Sequence, residues 1–469
     1  MNGEAPRDTG RRALKVGLIA VVTLVAFESL AVITILPDIE ADLGGVAWYG
    51  WVSTAFFLGT IIGIVFAGDQ ADRRGAGWPF VVGLVLFAAG LIAGGLAPSM
   101  PVLVAGRFVQ GFGAGVVPAI GYVVIGRAFT ETERPRMFAL LSTAWVVPGL
   151  IGPVVAERIS EAVGWRWVFL GLVPLVVVAG ALVVPAMARL GPIGDSVRPV
   201  TPFWRRRMLE ASRVAIGAAV VLASLNASRW LLLPGVAAGL VIGLGPLSRL
   251  TPDGTLRARP GLAAVVLSRG LLTFAFFGTD TFVPYAVHNG RGASVFAGSV
   301  AVTMATLMWT VGTWAQDRWI GRTGEMRFVR LAYALLIPAI VIVALGALPD
   351  LVPLWVIYVG SAVGGLAIGL GYSAHSQLML RCAPASEYGS ATSSLQLFDN
   401  LGVALGTGVV GVVVTLGDDL GWAAGDATAA ALIPAAAVAA LGLAVSRRLP
   451  ARAAAAPTQS TTRSIAAAG

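Results

Sequence analysis

Apolar stretches long enough to cross a membrane occupy nearly all of this 469-residue chain. An α-helix rises about 1.5 Å per residue, so a run of roughly 20 apolar residues matches a hydrocarbon core of about 30 Å. The sequence predicts such runs at 14–36, 47–67, 78–97, 101–125, 137–157, 166–188, 209–226, 230–248, 262–287, 294–314, 328–348, 352–378, 389–416 and 427–446. These fourteen spans fall into groups of six, two and six, and their lengths fit helices rather than barrel strands. Charged residues make up only 12% of the chain, against roughly a quarter in a soluble domain. The bilayer is therefore the expected surrounding. The first span is too long for a signal peptide and lacks its small-residue cleavage pattern, so it reads as a retained anchor.

A net charge of +9 would suit nucleic acid if the basic residues formed one patch. Instead they alternate with the loops. One set of segments carries Arg7, Arg11, Arg12, Lys15, Arg73, Arg74, Arg127, Arg134, Arg136, Arg205, Arg206, Arg207, Arg257, Arg259, Arg318, Arg322, Arg447 and Arg448. The other set carries only Arg158, Arg166, Arg229 and Arg291. That asymmetry puts both termini in the cytoplasm of a multi-pass cell-membrane protein, with lipid rather than nucleic acid as its surroundings. A single cysteine, Cys382, and two distant histidines, His288 and His375, give no internal disulfide and no metal site.

The segment Leu190 to Met208 holds Gly191-Pro192, Arg198-Pro199, Thr201-Pro202 and Arg205-Arg206-Arg207, and it reads as a linker. The expected domains are a six-helix bundle over 1–188, a linker with two inserted helices over 189–261, a second bundle over 262–448 and a disordered cytoplasmic tail over 449–469. The inserted pair is expected to pack peripherally. Gly68 to Gly75 reads as a loop after the second core helix. A looser counterpart, Gly312 to Arg322 with Asp317-Arg318, follows the eighth. Such repetition is common in transporters built from related halves.

Polar residues inside the spans are the functional candidates, because each is costly there. Glu28 lies near the middle of the first span. A lone carboxylate at that depth is expected to take up and release a proton near neutral pH, unless Arg107 holds it as a permanent structural pair. Arg107 itself lies about 10 Å deep by helical rise, and it either pairs with an acid or snorkels outward. Asp280 and Asp399 are the corresponding acids of the second half, each read as a coupling or substrate group or as a buried hydrogen-bonding residue. Gln110, Gln396 and Asn400 are candidate substrate contacts beside them, and His375, near a helix end, and Gln377 are weaker candidates. Glu157-Arg158 reads as an interfacial ion pair. Glycines four apart, at Gly111-Gly115, Gly360-Gly364, Gly365-Gly369 and Gly402-Gly406, predict close helix packing. Trp48, Tyr49, Trp51, Trp165 and Trp167 predict an interfacial aromatic belt.

In the 68–77 segment the chain resembles the major facilitator superfamily, whose signature there is G-x-L-A-D-R-x-G-R-K. Gly68, Ala71, Asp72, Arg73 and Gly75 fit it, while Gln70, Ala76 and Gly77 depart from it. Arg107-Phe108-Val109-Gln110-Gly111-Phe112-Gly113 is similar to that family's R-x-x-Q-G-x-G pattern in helix 4. Phe27-Glu28 through Leu36-Pro37 resembles the helix 1 motif of the fourteen-helix drug:proton antiporters, with Leu30 and Ile33 in place of its Thr and Asn. Pro148-Gly149 through Gly152-Pro153 partly resembles their helix 5 motif, which in them bends the helix and is tied to export; Ala156 and Glu157 replace its last glycines.

The resemblance implies an all-α fold of two six-helix bundles plus two inserted helices. It also implies a latch in which Asp72 favours the positive end of a helix from the other half, around Pro384 to Glu387. Gly68, Arg73 and Gly75, with Asp317 and Arg318 in the second half, belong to that latch by the same resemblance. The implied activity is proton-coupled export of amphipathic or cationic small molecules by a monomer, with protons as coupling ion and no other cofactor. Two alternatives stand beside it. One is a proton symporter or an exporter of a specific endogenous metabolite or lipid, and the other is a polytopic membrane enzyme. The E-x-x-E-R pattern of proton:peptide carriers is absent after Glu28, and no clustered catalytic residues are present.

Overall fold

A computed structural model describes residues 8–44, 48–188, 203–225, 229–348 and 351–450, which are helical almost throughout, with no strand among them. The first half comprises α1 (Asp8–Leu43), α2 (Tyr49–Arg74), α3 (Gly77–Gly95), α4 (Met100–Ala128), α5 (Arg134–Val163) and α6 (Arg166–Met187). An inserted hairpin follows as α7 (Phe203–Leu225) and α8 (Arg229–Leu250). The second half comprises α9 (Leu262–Gly290), α10 (Val295–Thr323), α11 (Glu325–Ala347), α12 (Trp355–Cys382), α13 (Tyr388–Asp419) and α14 (Ala424–Val445). The predicted linker residues 189–202 and the tail beyond 450 lie outside the described residues.

Two of the fourteen helices are bent. In α1 the segments Arg12–Ser29 and Thr34–Leu43 meet at 56°. Pro37 lies just beyond the bend and cannot donate to the carbonyl of Ile33. In α5 the segments Arg134–Gly149 and Ile151–Val163 meet at 41°, between Pro148 and Pro153, where the sequence predicts a bend.

The two halves repeat one packing scheme. In the first, α4 packs on α2 and α3, while α1 packs on α5 and α6; in the second, α12 packs on α10 and α11, while α9 packs on α13 and α14. Small residues make the closest approaches. A Cβ on Gly111 would lie 2.0 Å from the Phe56 carbonyl oxygen, so no side chain fits where α4 crosses α2. The same device brings Gly365 of α12 onto Ala305 of α10.

Between the halves, α2 packs on α13 and α5 on α10, with α4 and α5 also reaching α13 and α12. The inserted hairpin is not wholly peripheral. Its outer helix α8 is only 17% buried, as expected of a lipid-facing element, but α7 seats against both α2 and α13. Arg207 Nη1 lies 3.7 Å from Asp69 Oδ1 of α2, and Ser394 Oγ of α13 donates to the carbonyl of Leu250 at 3.3 Å. The hairpin thus bridges the halves at one end, because its basic entry segment finds a buried acid on α2.

Three local expectations are corrected. The Gly68–Gly75 segment is not a loop but the last turns of α2, which ends only at Gly75 (φ 81), a conformation that glycine alone adopts readily. Asp317 and Arg318 likewise lie inside α10. Trp165 does not join an aromatic belt, since it is 5% exposed and donates through Nε1 to Asp42 Oδ2 at 3.2 Å. Trp48, Trp51 and Trp167 remain exposed as predicted.

Candidate functional site

Arg107 sits in the first third of α4, too deep to reach water along its own stem, and its guanidinium turns inward to α1. Its Nη1 donates to Glu28 Oε1 and, at 2.8 Å, to Gln110 Oε1. The ring of Phe56 lies 4.2 Å beneath it. Gln110 stands one turn along the same helix face, which the three-residue spacing dictates. Glu28 is 1% exposed and Arg107 3%. The pair is therefore enclosed by protein and neither member faces lipid. One oxygen is left over: Glu28 Oε2 has no hydrogen-bond partner among the described residues, nor has Gln110 Nε2.

The second half carries a matching pair that the sequence reading caught only in part. Asp399 was singled out; its partner Arg269, 1% exposed on α9, was not. Arg269 Nε donates to Asp399 Oδ1 at 2.7 Å, and its Nη1 donates to the Tyr372 carbonyl. The guanidinium stacks on the Tyr372 ring, whose hydroxyl donates to Asp399 Oδ2 at 2.8 Å. Both oxygens of Asp399 are thus bonded, one to a cation and one to a phenol. Trp309 of α10 stands 5.3 Å from the Tyr372 ring and 5.5 Å and 6.0 Å from Phe276 and Phe277. These rings form an aromatic wall beside the acid, and Tyr122 of α4 reaches the same charges from the first half. The only sequence signal for Arg269 was a cation about two turns inside an apolar run, the same feature that marked Arg107.

His375 does not reach solvent at a helix end. It is fully buried, with Nε2 2.9 Å from Ser268 Oγ and Nδ1 2.8 Å from the Gly371 carbonyl. Tyr333 OH donates to the Ser268 carbonyl and completes that network. Gln396 and Asn400 stay within α13, where Asn400 Nδ2 donates to the Gln396 carbonyl at 2.9 Å. Gln377 is buried, with Nε2 unpartnered among the described residues. Asp280 lies apart from both pairs, in a pocket bounded by α9, α11 and α12 alone. Glu157 and Arg158 do not pair with each other; Arg158 Nη1 bonds Glu161 Oε2 at 3.0 Å, one turn on.

The residues of the expected latch join the halves. Asp72 Oδ1 accepts from the Gly389 backbone N–H and Oδ2 from that of Ser390, each at 2.7 Å. These are orphan donors at the first turn of α13, where the helix dipole favours an anion. The docking point lies one turn beyond the predicted Pro384 to Glu387, because Ala385–Glu387 forms a separate 3-10 turn and the free N–H groups belong to the helix that follows. A Cβ on Gly389 would lie 2.2 Å from the Gly68 carbonyl oxygen, so both glycines are sterically required. Arg127 of α4, unrecognised in the sequence, sits 3.8 Å from Asp72 Oδ1. Arg73 instead bonds Asp69 at 3.0 Å. In the second half Asp317 faces Arg136 at the start of α5, and Arg318 is exposed.

The family model for the Major Facilitator Superfamily matches residues 18–407. A probable multidrug-efflux transporter of Mycobacterium tuberculosis is 29% identical over 416 residues, covering 84% of this chain and 85% of its own length. A multidrug efflux pump of Staphylococcus aureus is 22% identical over 416 residues, covering 86% and 89%. Among solved structures, a human organic anion transporter aligns with a TM-score of 0.68 at 14% identity, over 93% of this chain and 99% of its own. The E. coli fucose:proton symporter aligns with a TM-score of 0.62 at 16% identity, over 93% and 98%.

Proposed function

We propose, from the premise that this chain belongs to the Major Facilitator Superfamily, that it is a proton-coupled exporter of amphipathic, cationic small molecules. Its membership makes it a multi-pass membrane transporter of small molecules and not an enzyme. The finer reading rests above all on one observation: Glu28 is buried with Arg107 on one oxygen and, among the described residues, no partner on the other. A fully satisfied carboxylate would be held as a permanent ion. This one has an open lone pair for a proton or for the charged group of a substrate, and Arg107 limits the cost of ionisation when the proton leaves.

The second half supports the cationic preference. Trp309 and Phe277 offer π faces near the Arg269–Asp399 pair, and a quaternary or protonated amine gains cation–π attraction there and ionic attraction where it displaces Arg269 from Asp399. A bulky apolar remainder finds the other rings. The multidrug-efflux names of the two bacterial relatives favour export.

In this reading protons arriving from outside neutralise Glu28, release the cation outward, and rocking of the halves carries the emptied site back. The latch-closed arrangement is then the outward-facing state, at rest in the plasma membrane of a monomer with both termini cytoplasmic. Purified protein in liposomes tests the proposal. An inward-directed proton gradient is expected to drive cation movement outward, and collapse of the gradient to stop it. Accumulation in the direction of the protons would favour the symporter reading instead.

A further inference from the structure

Of the three intramembrane acids, Asp280 is the one that no arginine accompanies. It is half-buried, and no hydrogen bond or ion pair to its carboxylate is found among the described residues. It borders a small pocket with Phe276 and Thr279 of α9, Leu336 and Ile340 of α11, and Ser361 of α12. Ser361 Oγ is itself buried without a partner. An acid and a hydroxyl, both unpartnered, therefore share a small apolar space away from the paired charges of Glu28 and Asp399.

The backbone at this point is broken. Asp280 closes the regular run Leu262–Asp280, a turn follows at Thr281 and Phe282, and Val283–Tyr285 leads into a π turn over Ala286–Gly290. Pro284 cannot donate to the Asp280 carbonyl, so one helical hydrogen bond is missing there. The segment beyond packs Val283, Ala286 and Val287 into the core, Tyr285 OH donates to Asp418 at 3.2 Å, and Arg291 Nη1 donates to the Leu348 carbonyl at 2.6 Å.

We infer that Asp280 is a proton-binding site that controls the outer segment of α9, an inference that rests on the proton-coupled reading above. Neutral Asp280 needs no counter-ion and turns toward the Ser361 hydroxyl across the pocket, and the segment beyond the break stays packed. When the proton leaves to water at the end of the molecule opposite the latch, an ionised carboxylate with no counter-ion draws water in, and the segment swings at residues 281–284. Substrate need not touch this acid.

No nearby charge complicates the titration. On α9 the other titratable groups are Arg269, two to three turns toward the latch, and Tyr285 and His288 beyond the break. On α11 they are Glu325, Arg327, Arg330 and Tyr333, toward the latch end, and on α12 Tyr358, Tyr372, His375, Arg381 and Cys382, of which Tyr358 is one turn from Ser361. Of the other helices packed on α9, α13 carries Asp399 with Arg269 and Asp418 and Asp419 at its outer end, α10 only Asp317, Arg318 and Arg322 at its latch end, and α14 Asp426 in its first turn.

The test joins infrared difference spectroscopy between acid and neutral pH to cysteine alkylation at position 287. Val287 is fully buried in the packed segment, so Val287→Cys in a Cys382→Ser background reports the swing. Wild type is expected to show a carboxylic-acid band that Asp280→Asn removes, Ser361→Ala shifts and Glu28→Gln leaves in place. Alkylation at 287 is expected to rise with pH, and to lose that dependence in Asp280→Asn. A band that survives Asp280→Asn, or a pH dependence unchanged by it, overturns the inference while leaving the exporter reading intact. Absence of substrate-driven proton movement in wild type overturns the exporter reading whatever the spectra show.

Discussion

Arg269 and Asp399 form a buried ion pair whose members depend on each other more than the fold depends on the pair. Removing one partner strands the other, at a cost of about 3–5 kcal/mol, whereas replacing both by apolar residues is often close to neutral. Arg269→Met is therefore expected to lower thermal stability sharply, and adding Asp399→Leu to recover most of the loss, while transport stays absent in both. Equal instability of the single and double variants in a melting experiment would show that the pair is not the energetic unit described. Arg107→Met is expected to behave alike against Glu28. The acids were legible in the sequence because a lone carboxylate stands out in an apolar run. Their surroundings were not. Depth along one helix can be counted in residues, but the face that meets α12 or α4 depends on packing between separate helices, so Tyr372, Tyr122 and the Trp309 wall gave no sign.

At the scale of helices, the Asp72 contact carries the closed interface between α2 and α13. Hydrogen bonds to a charged group contribute roughly 1.5–3 kcal/mol each, and two of them outweigh the exposed-type contact of Arg207 with Asp69, worth about 0–1 kcal/mol. Asp72→Ala is expected to raise alkylation of a cysteine placed at Ser393, which is 2% exposed beside the latch, by at least roughly tenfold. Arg207→Ala is expected to change it little; the reverse order would make the inserted hairpin, not the latch, the main tie. Gly389→Val is expected to weaken closure through its collision with the Gly68 carbonyl.

The first latch was readable because its motif names the residues. The second was not, for a reason visible in α5: the helix opens Arg134-Pro135-Arg136, and Pro135 has no N–H to offer Asp317 where Gly389 offers one to Asp72. The two halves repeat their packing but not their locks.

For the whole molecule, fourteen helices, two repeated bundles and the order six, two, six all follow from apolar run lengths and from the basic segments between them. How the bundles meet does not, because it depends on which small residues face one another. The account joins two buried acids, Glu28 and Asp399, through one rocking motion, so coupling must fail when the acids are neutralised even though the halves still close. The direct measurement is proton flux in liposomes holding a pH-sensitive dye, on addition of a lipophilic cation. Wild type is expected to move protons against the cation, and the Glu28→Gln, Asp399→Asn double variant to bind the cation weakly and move no protons. Undiminished cation-driven proton movement in that double variant would contradict the account.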